Sequence, residues 1–171
     1  MTPAGTTSIT LTDVHAAAKL NKTGRVASIG VSNFDKQLLG EFWGFGSVRP
    51  HLVQNFAEPG RLDKVVREWS SEHGAIYMPY AHQRNMKFLA PSMKESIQQM
   101  SLKYNVSAHV IISRFFYQTG AAIVPRSSQS AHLKENIHDV TKFTLTAAEM
   151  ESMGWDSASV QKTNAGTKTE L

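Results

Sequence analysis

The hydrophobic pattern of this chain alternates between short, mostly apolar runs and longer stretches in which apolar residues recur at helical spacing. The short runs are 26–31, 51–54, 75–80 and 121–124. A helical stretch follows each run, and another one, ended by Gly24, precedes the first. Short apolar runs of this kind are typical of strands buried on both faces. Because strands and helices alternate, the pattern predicts an α/β fold with a parallel sheet.

Capping residues predict where the helices begin. Thr12, Asp35 and Ser107 are suitable N-cap residues directly ahead of helical stretches. The tetrapeptides that begin at Ser92 and Thr146 match the capping box. In this motif the hydroxyl of the first residue accepts a hydrogen bond from the backbone N–H of the fourth, and the carboxylate of the fourth accepts one from the backbone N–H of the first. Pro125 is expected to end the fourth apolar run, because proline cannot donate to a sheet ladder.

The length of the chain limits its architecture. With 171 residues it can form one well-buried domain, whereas a complete (β/α)8 TIM barrel needs about 250 residues. Periodicity alone is consistent with either half of such a barrel or a small doubly wound sheet. We expect a flexible lead-in at 1–11, one α/β unit at 12–155 and a polar tail at 156–171.

Composition excludes several classes of function. The absence of cysteine excludes a disulfide scaffold, a thiolate zinc site and a cysteine nucleophile, and we expect no metal site. The net charge is +4, but Lys and Arg are scattered without a basic run, so no nucleic-acid partner is expected. No apolar stretch reaches the roughly 20 residues of a transmembrane helix, and the first residues do not resemble a targeting peptide. We therefore expect a cytoplasmic protein without a membrane partner.

Polar and aromatic side chains stand at the ends of the predicted strands. They are Ser32, Asn33, Gln54, Tyr80, Arg126 and Ser127. In parallel α/β folds the carboxyl ends of the strands face the ligand. Amides can bind a carboxamide, a tyrosine ring can stack on a planar heterocycle, and an arginine beside a helix N-terminus can bind a phosphate. Each residue alone is more often structural, but together they match the outline of a nicotinamide dinucleotide.

Five segments, one of them the helical stretch 107–120, resemble the aldo-keto reductases, a (β/α)8-barrel family of NAD(P)H-dependent carbonyl reductases. G-R-V-x-x-I-G-V-S-N-F at 24–34 is similar to the signature of the family's fifth strand. Segment 50–54 resembles the P-x-x-N-Q of the sixth strand, and 74–80 resembles the seventh-strand segment that ends in A-Y-S-P-L. The most specific match is 125–136, which resembles P-K-S-x-x-x-x-R-I-x-E-N. The resemblance implies a partial barrel, strands five to eight with their helices.

The resemblance implies that NADP(H) is the cofactor and assigns its nicotinamide end to the first three strands. By this resemblance, Ser32, Asn33 and Gln54 would hold the nicotinamide carboxamide. Tyr80 would stack on the nicotinamide ring. A full-length parent would reduce an aldehyde or ketone with NADPH.

The phosphate and adenine end of the cofactor is assigned to the last matching segment. Arg126, Ser127 and His132 would face the 2′-phosphate, and Glu135 and Asn136 would lie near the adenine. His132 stands where the family usually has an arginine, so the positive charge at this position depends on pH.

The residues that perform reduction in this family are not matched by this chain. They are an Asp, a Tyr, a Lys and a His on strands two to four, and no tyrosine precedes Tyr77 here. The tripeptide 81–83 also departs from the family's Ser-Pro-Leu, where pyrophosphate contacts are made. We therefore predict no catalytic residue in this chain, which alone would be inactive.

Two other functions remain open from the sequence. The chain could be a non-catalytic half-barrel that acts as a structural or interaction subunit of a larger assembly. It could also be a nucleotide-sensing module that binds NADP(H) without turnover. A half-barrel has open strand edges and uncovered apolar surface, so we expect a protein partner or self-association.

Overall fold

Helices and strands alternate through the first half of the molecule, and helices dominate the second. The computed structural model describes residues 11–45 and 49–156; most of the predicted lead-in and tail therefore lies outside the described residues. The helices are α1 (Leu11–Lys22), α2 (Lys36–Phe45), α3 (Lys64–Glu72), α4 (Pro91–Tyr104), α5 (Ala108–Gln118), α6 (Ser130–Lys134) and α7 (Ala147–Ser152). The strands are β1 (Gly30–Ser32), β2 (Leu52–Phe56) and β3 (Ile76–Tyr80). A 3-10 turn covers Met86–Phe88, and a π-helix covers Glu135–Asp139.

The strands form a parallel sheet in the order β1-β2-β3, which confirms the predicted α/β arrangement. The first strand is shorter than the predicted run 26–31. Val26 donates its N–H to the Leu20 carbonyl, and the Asn21 side chain donates to the carbonyls of Val26 and Ala27. Because the end of α1 occupies these backbone groups, the sheet begins only at Gly30.

The predicted fourth strand, 121–124, is not a strand in the structure. Ala122 donates its N–H to the Tyr77 carbonyl (3.0 Å), so the segment lies alongside β3. In a parallel ladder the next bond would come from residue 79, which is a proline and has no N–H. Pro79 therefore prevents the ladder that the apolar pattern predicts.

The outer face of the sheet packs against the helices and forms the core. Val53 and Tyr77, which pair across β2 and β3, are both buried on this face. Seven consecutive residues of α5, 110–116, are buried, so this helix is enclosed on all sides. The opposite face of the sheet is more open, and Ile76 on it is 53% exposed.

Three of the five predicted helix caps are confirmed. The one predicted at Thr12 is wrong, because α1 begins at Leu11 and Thr12 is already within it. Asp35 Oδ1 accepts from Leu38 N (2.8 Å), and Ser107 Oγ accepts from Val110 N (3.4 Å). Thr146 forms the complete capping box that opens α7. The capping box predicted at Ser92 is wrong: α4 begins at Pro91, whose fixed backbone angle suits the first helical position, and no side chain caps it.

No helix in the part of the chain that the structure describes is both long and apolar enough to cross a bilayer.

Candidate cofactor-binding site

The structure brings together the predicted nicotinamide-binding residues at the carboxyl edge of the sheet. Ser32 and Gln54 are paired in the register of β1 and β2. Asn33 donates its backbone N–H to the Gln54 carbonyl (2.9 Å), and Tyr80 donates its hydroxyl to Asn33 Oδ1 (2.8 Å). Asn33 has a φ of 61°, a left-handed conformation that asparagine tolerates better than most residues. Three strand ends therefore converge through hydrogen bonds.

Two of these side chains are placed so that a ligand can engage them. Gln54 donates its amide N–H to Met78 Sδ (3.1 Å), and a thioether is a weak acceptor that a ligand carbonyl can replace. The ring of Tyr80 packs edge-on against Phe56, with 5.9 Å between the ring centroids. Tyr80 and Gln54 are half-buried, while Ser32 and Asn33 are exposed. The strand ends thus offer amide, hydroxyl and ring groups on an accessible surface.

The loop after β3 connects this edge to the second half of the chain. Its Gln83 donates its amide N–H groups to the His109 carbonyl (3.0 Å) and to Ser113 Oγ (2.7 Å). Gln83 also lies 3.5 Å from Asn136 Oδ1. Sequence reasoning did not assign Gln83 or Ser113 to the site; the only signal was that 81–83 departs from Ser-Pro-Leu. Gln83 links Tyr80, through the intervening loop, to one of the predicted adenine-binding residues.

His82 is buried beneath the same loop. The residue is 2% exposed, its ring lies edge-on to Phe116, and Nε2 is 3.4 Å from Ser113 Oγ. Burial lowers the pKa of His82 from 6.5 to about 4, and the carbonyl of Pro79 opposes this effect only in part. His82 is therefore neutral near pH 7 and supports the loop as a packed, uncharged group.

The predicted phosphate-binding residues do not form one hydrogen-bonded group in the described part of the chain. Ser127 Oγ accepts from the backbone N–H of Gln129 (3.0 Å), a local turn bond. Arg126 and His132 are both exposed. Among the described residues, no hydrogen bond joins these three side chains, and neither Arg126 nor His132 is ion-paired with a carboxylate. The guanidinium of Arg126 is therefore available to an anion.

The predicted adenine-binding residues lie in the π-helix that follows α6. Glu135 Oε2 accepts from Ser107 Oγ (3.0 Å), and Asn136 is buried. The sequence predicts one helix with Leu133, Ile137 and Val140 on a single apolar face. That prediction is wrong, since Ile137 is 68% exposed: a π turn takes up more residues per turn and rotates the positions that follow.

Comparison with known proteins identifies the relatives of this arrangement. The probable NAD(P)H-dependent D-xylose reductase of Aspergillus clavatus is 28% identical over 81% of this chain and 45% of its own length. The crystal structure of the Brucella melitensis aldo/keto reductase matches 82% of this chain and 52% of that one, with 28% identity and a TM-score of 0.73. The chain is related to the aldo-keto reductases. It spans about half the length of the curated relatives it matches.

A structure of a Gox0644 mutant in complex with NADPH is equally similar, with 27% identity and a TM-score of 0.74 over 82% of this chain and 51% of that one. No established protein-family profile matches the chain. The similarity therefore rests on individual relatives and on the fold, and it extends over half of their barrels.

The described residues fit a nicotinamide dinucleotide in two respects. The amide N–H of Gln54 is held only by a thioether sulfur, so a carboxamide oxygen would be a better acceptor for it. Arg126 and His132 are exposed without a carboxylate partner in the described parts of the chain, and the unpaired guanidinium of Arg126 suits a phosphate.

Proposed function

We propose that this chain is the NADP(H)-binding half of a carbonyl reductase, corresponding to strands five to eight of an aldo-keto reductase barrel. The observation that carries the proposal is the hydrogen-bonded group of Asn33, Gln54 and Tyr80 at the carboxyl edge of the sheet. It occurs in a chain related to NAD(P)H-dependent reductases. Residues 12–155 would form this unit.

In this proposal the strand ends bind the nicotinamide. Ser32, Asn33 and Gln54 bind the carboxamide, because hydroxyl and amide groups supply both donors and acceptors. Tyr80 stacks on the ring, and its hydrogen bond to Asn33 Oδ1 fixes the aromatic plane relative to the carboxamide site.

The other end of the cofactor binds to the segment after α5. Arg126, Ser127 and His132 contact the 2′-phosphate, with the guanidinium as the permanent cation. Glu135 and Asn136 contact the adenine. Glu135 is already hydrogen-bonded to Ser107, and Asn136 to Gln83. Binding of the cofactor would therefore cost little side-chain entropy at these two residues.

The bound NADPH would supply a hydride for reduction of an aldehyde or ketone. A proton must also reach the developing alkoxide, and Tyr77 does not suit this role. It lies on the helix-covered face of the sheet and donates its hydroxyl to Asp63 Oδ2 (3.1 Å). Burial, together with the Asp63 carboxylate, raises the pKa of Tyr77 above its usual range. We therefore propose that the proton donor comes from outside this chain, which alone is inactive.

The test is a titration of the purified chain with NADPH, followed by energy transfer from its tryptophans to the bound cofactor. We expect saturable binding, weakened about tenfold or more in Arg126→Ala, since a charge-assisted hydrogen bond contributes about 1.5–3 kcal/mol. Arg25→Ala is the matched control, because Arg25 is also exposed but precedes the amino end of β1. Absence of saturable binding, or equal weakening in both variants, would contradict the proposal.

The open face of the sheet favours a second candidate function. With Ile76 half exposed on it, this face is suited to contact with another chain. A non-catalytic half-barrel that serves as a structural or interaction subunit is therefore the alternative. Association without any NADPH binding would support it in place of the first.

A further inference from the structure

The inner face of the sheet, defined by the alternate strand positions that point away from the helices, contains no charged residue. Its members are Gly30, Ser32, Leu52, Gln54, Phe56, Ile76, Met78 and Tyr80. The contrast with the outer face is large: Ile76 is 53% exposed, whereas its neighbour Tyr77 is 5% exposed. Sheets with parallel strands are ordinarily covered on both faces. Half of this sheet's cover is therefore missing within the described residues.

Part of the inner face is covered by the chain itself. At the carboxyl end, the guanidinium of Arg61 lies over the Phe56 ring, 5.3 Å from its centroid. The surface that remains for a partner is at the other end, around Leu52, Ile76 and Met78. It is apolar and uncharged.

Both edges of the sheet are also open. No strand of the described chain pairs with the far edge of β1. On the opposite side, segment 121–124 lies along β3 through a single backbone bond, and no strand lies beyond it among the described residues. Unpaired edges are templates for pairing with another chain.

We propose that two copies of this chain pack their inner faces together around a two-fold axis that runs parallel to the strands. All three strands point the same way, so this axis lays β1 of one copy beside segment 121–124 of the other in parallel orientation. The arrangement covers both faces and both edges at once. It depends on the sheet alone and holds whether or not NADPH binds.

Two observations favour a second copy as the occupant. Each copy contributes four parallel segments, β1 to β3 and segment 121–124, so two copies together supply eight, the number in a closed (β/α)8 barrel. In a two-fold interface the same surface meets itself, so a charged face would be repelled by its copy. The uncharged inner face meets that requirement, and Leu52, Ile76 and Met78 supply apolar surface to bury.

The arrangement has a consequence for the candidate cofactor site. Because the strands of both copies point the same way, both carboxyl edges lie at one end of the assembly. The strand ends that carry Asn33, Gln54 and Tyr80 in each copy would then surround a common opening.

The first test is the mass of the purified chain in solution by light scattering, with Ile76→Glu and Val65→Glu as a matched pair. Val65 is 54% exposed, like Ile76, but lies on the outside of α3. We expect twice the 18.9 kDa chain mass for the wild type and for Val65→Glu, and a monomer with an unchanged circular dichroism spectrum for Ile76→Glu. A monomeric wild type, or a dimer that a folded Ile76→Glu preserves, would overturn the proposal.

A second measurement covers the case in which Ile76→Glu does not fold. The chain has no cysteine, so Ile76→Cys and Val65→Cys each carry one thiol that a bismaleimide can join. We expect cross-linked dimer from Ile76→Cys and only background from Val65→Cys. Equal yields from the two variants would contradict packing through the inner face.

Discussion

The burial of His82 makes the stability of this protein depend on pH in a predictable way. The ring packs against Phe116 and lies near the Ser113 hydroxyl, and only 2% of the residue is exposed. Because burial penalises the charged imidazolium, the pKa of His82 falls from 6.5 to about 4. In the unfolded chain the same side chain is free to bind a proton below its ordinary pKa.

The magnitude follows from the difference between the folded and unfolded pKa values. Each pKa unit corresponds to about 1.4 kcal/mol, so the shift corresponds to about 3 kcal/mol of stability. The folded pKa is the lower of the two, so this stability is fully present above the unfolded pKa. It is lost as the pH falls from about 6.5 towards about 4, because only the unfolded chain takes up the proton in that window.

The assay is urea unfolding of the wild type and of His82→Gln at a series of pH values from 7 down to 4. Glutamine cannot take up the proton but keeps a polar group near Ser113. We expect the wild-type free energy of unfolding to fall by about 3 kcal/mol more than that of the variant over this range. His109→Gln, a change at an exposed histidine on α5, should keep the wild-type pH dependence. The same pH dependence in His82→Gln and wild type would refute the reasoning.

Two further predictions follow from single contacts. Tyr80→Phe removes the hydrogen bond to Asn33 Oδ1 but keeps the ring, so NADPH titration should show a smaller loss of affinity than in Tyr80→Ala; equal losses would argue against stacking. Glu149→Gln should destabilise the protein by about 1–2 kcal/mol in urea unfolding, because Glu149 accepts from Tyr104 Oη and from Thr146 N. Burial raises the pKa of Glu149, but its hydrogen bonds, the one from Lys103 foremost, outweigh burial and lower the pKa to about 2. The carboxylate is therefore still ionised at pH 4, and the loss of stability in Glu149→Gln should persist down to that pH. No loss of stability in the variant would contradict this.

The alternation of apolar runs and helical stretches was sufficient to predict the parallel α/β sheet, because both periods are properties of local sequence. The lengths of the strands were not predictable in the same way. The first strand is shortened by the side chain of Asn21, and the fourth is prevented by Pro79 on the neighbouring strand. Both effects come from residues outside the apolar run, so the hydrophobic pattern within the run does not predict them.

The candidate site was likewise predictable from the sequence only in part. That strand ends meet at one edge follows from parallel topology, so grouping Asn33 with Tyr80 was within reach of the sequence. The hydrogen bond between these residues, 47 positions apart, was not. Nor was the π-helix, which exposes Ile137 and buries Asn136, because an added residue in a turn leaves no mark in the apolar period.

Hydrogen–deuterium exchange of the chain with and without NADPH tests the central claim most directly, since it locates the bound cofactor on the chain. The account predicts slower exchange in 30–34, 52–56 and 80–83 at the sheet edge, and in 126–136 in the second half. Saturating NADPH with unchanged exchange in both regions, or with protection confined to other parts of the chain, would contradict it.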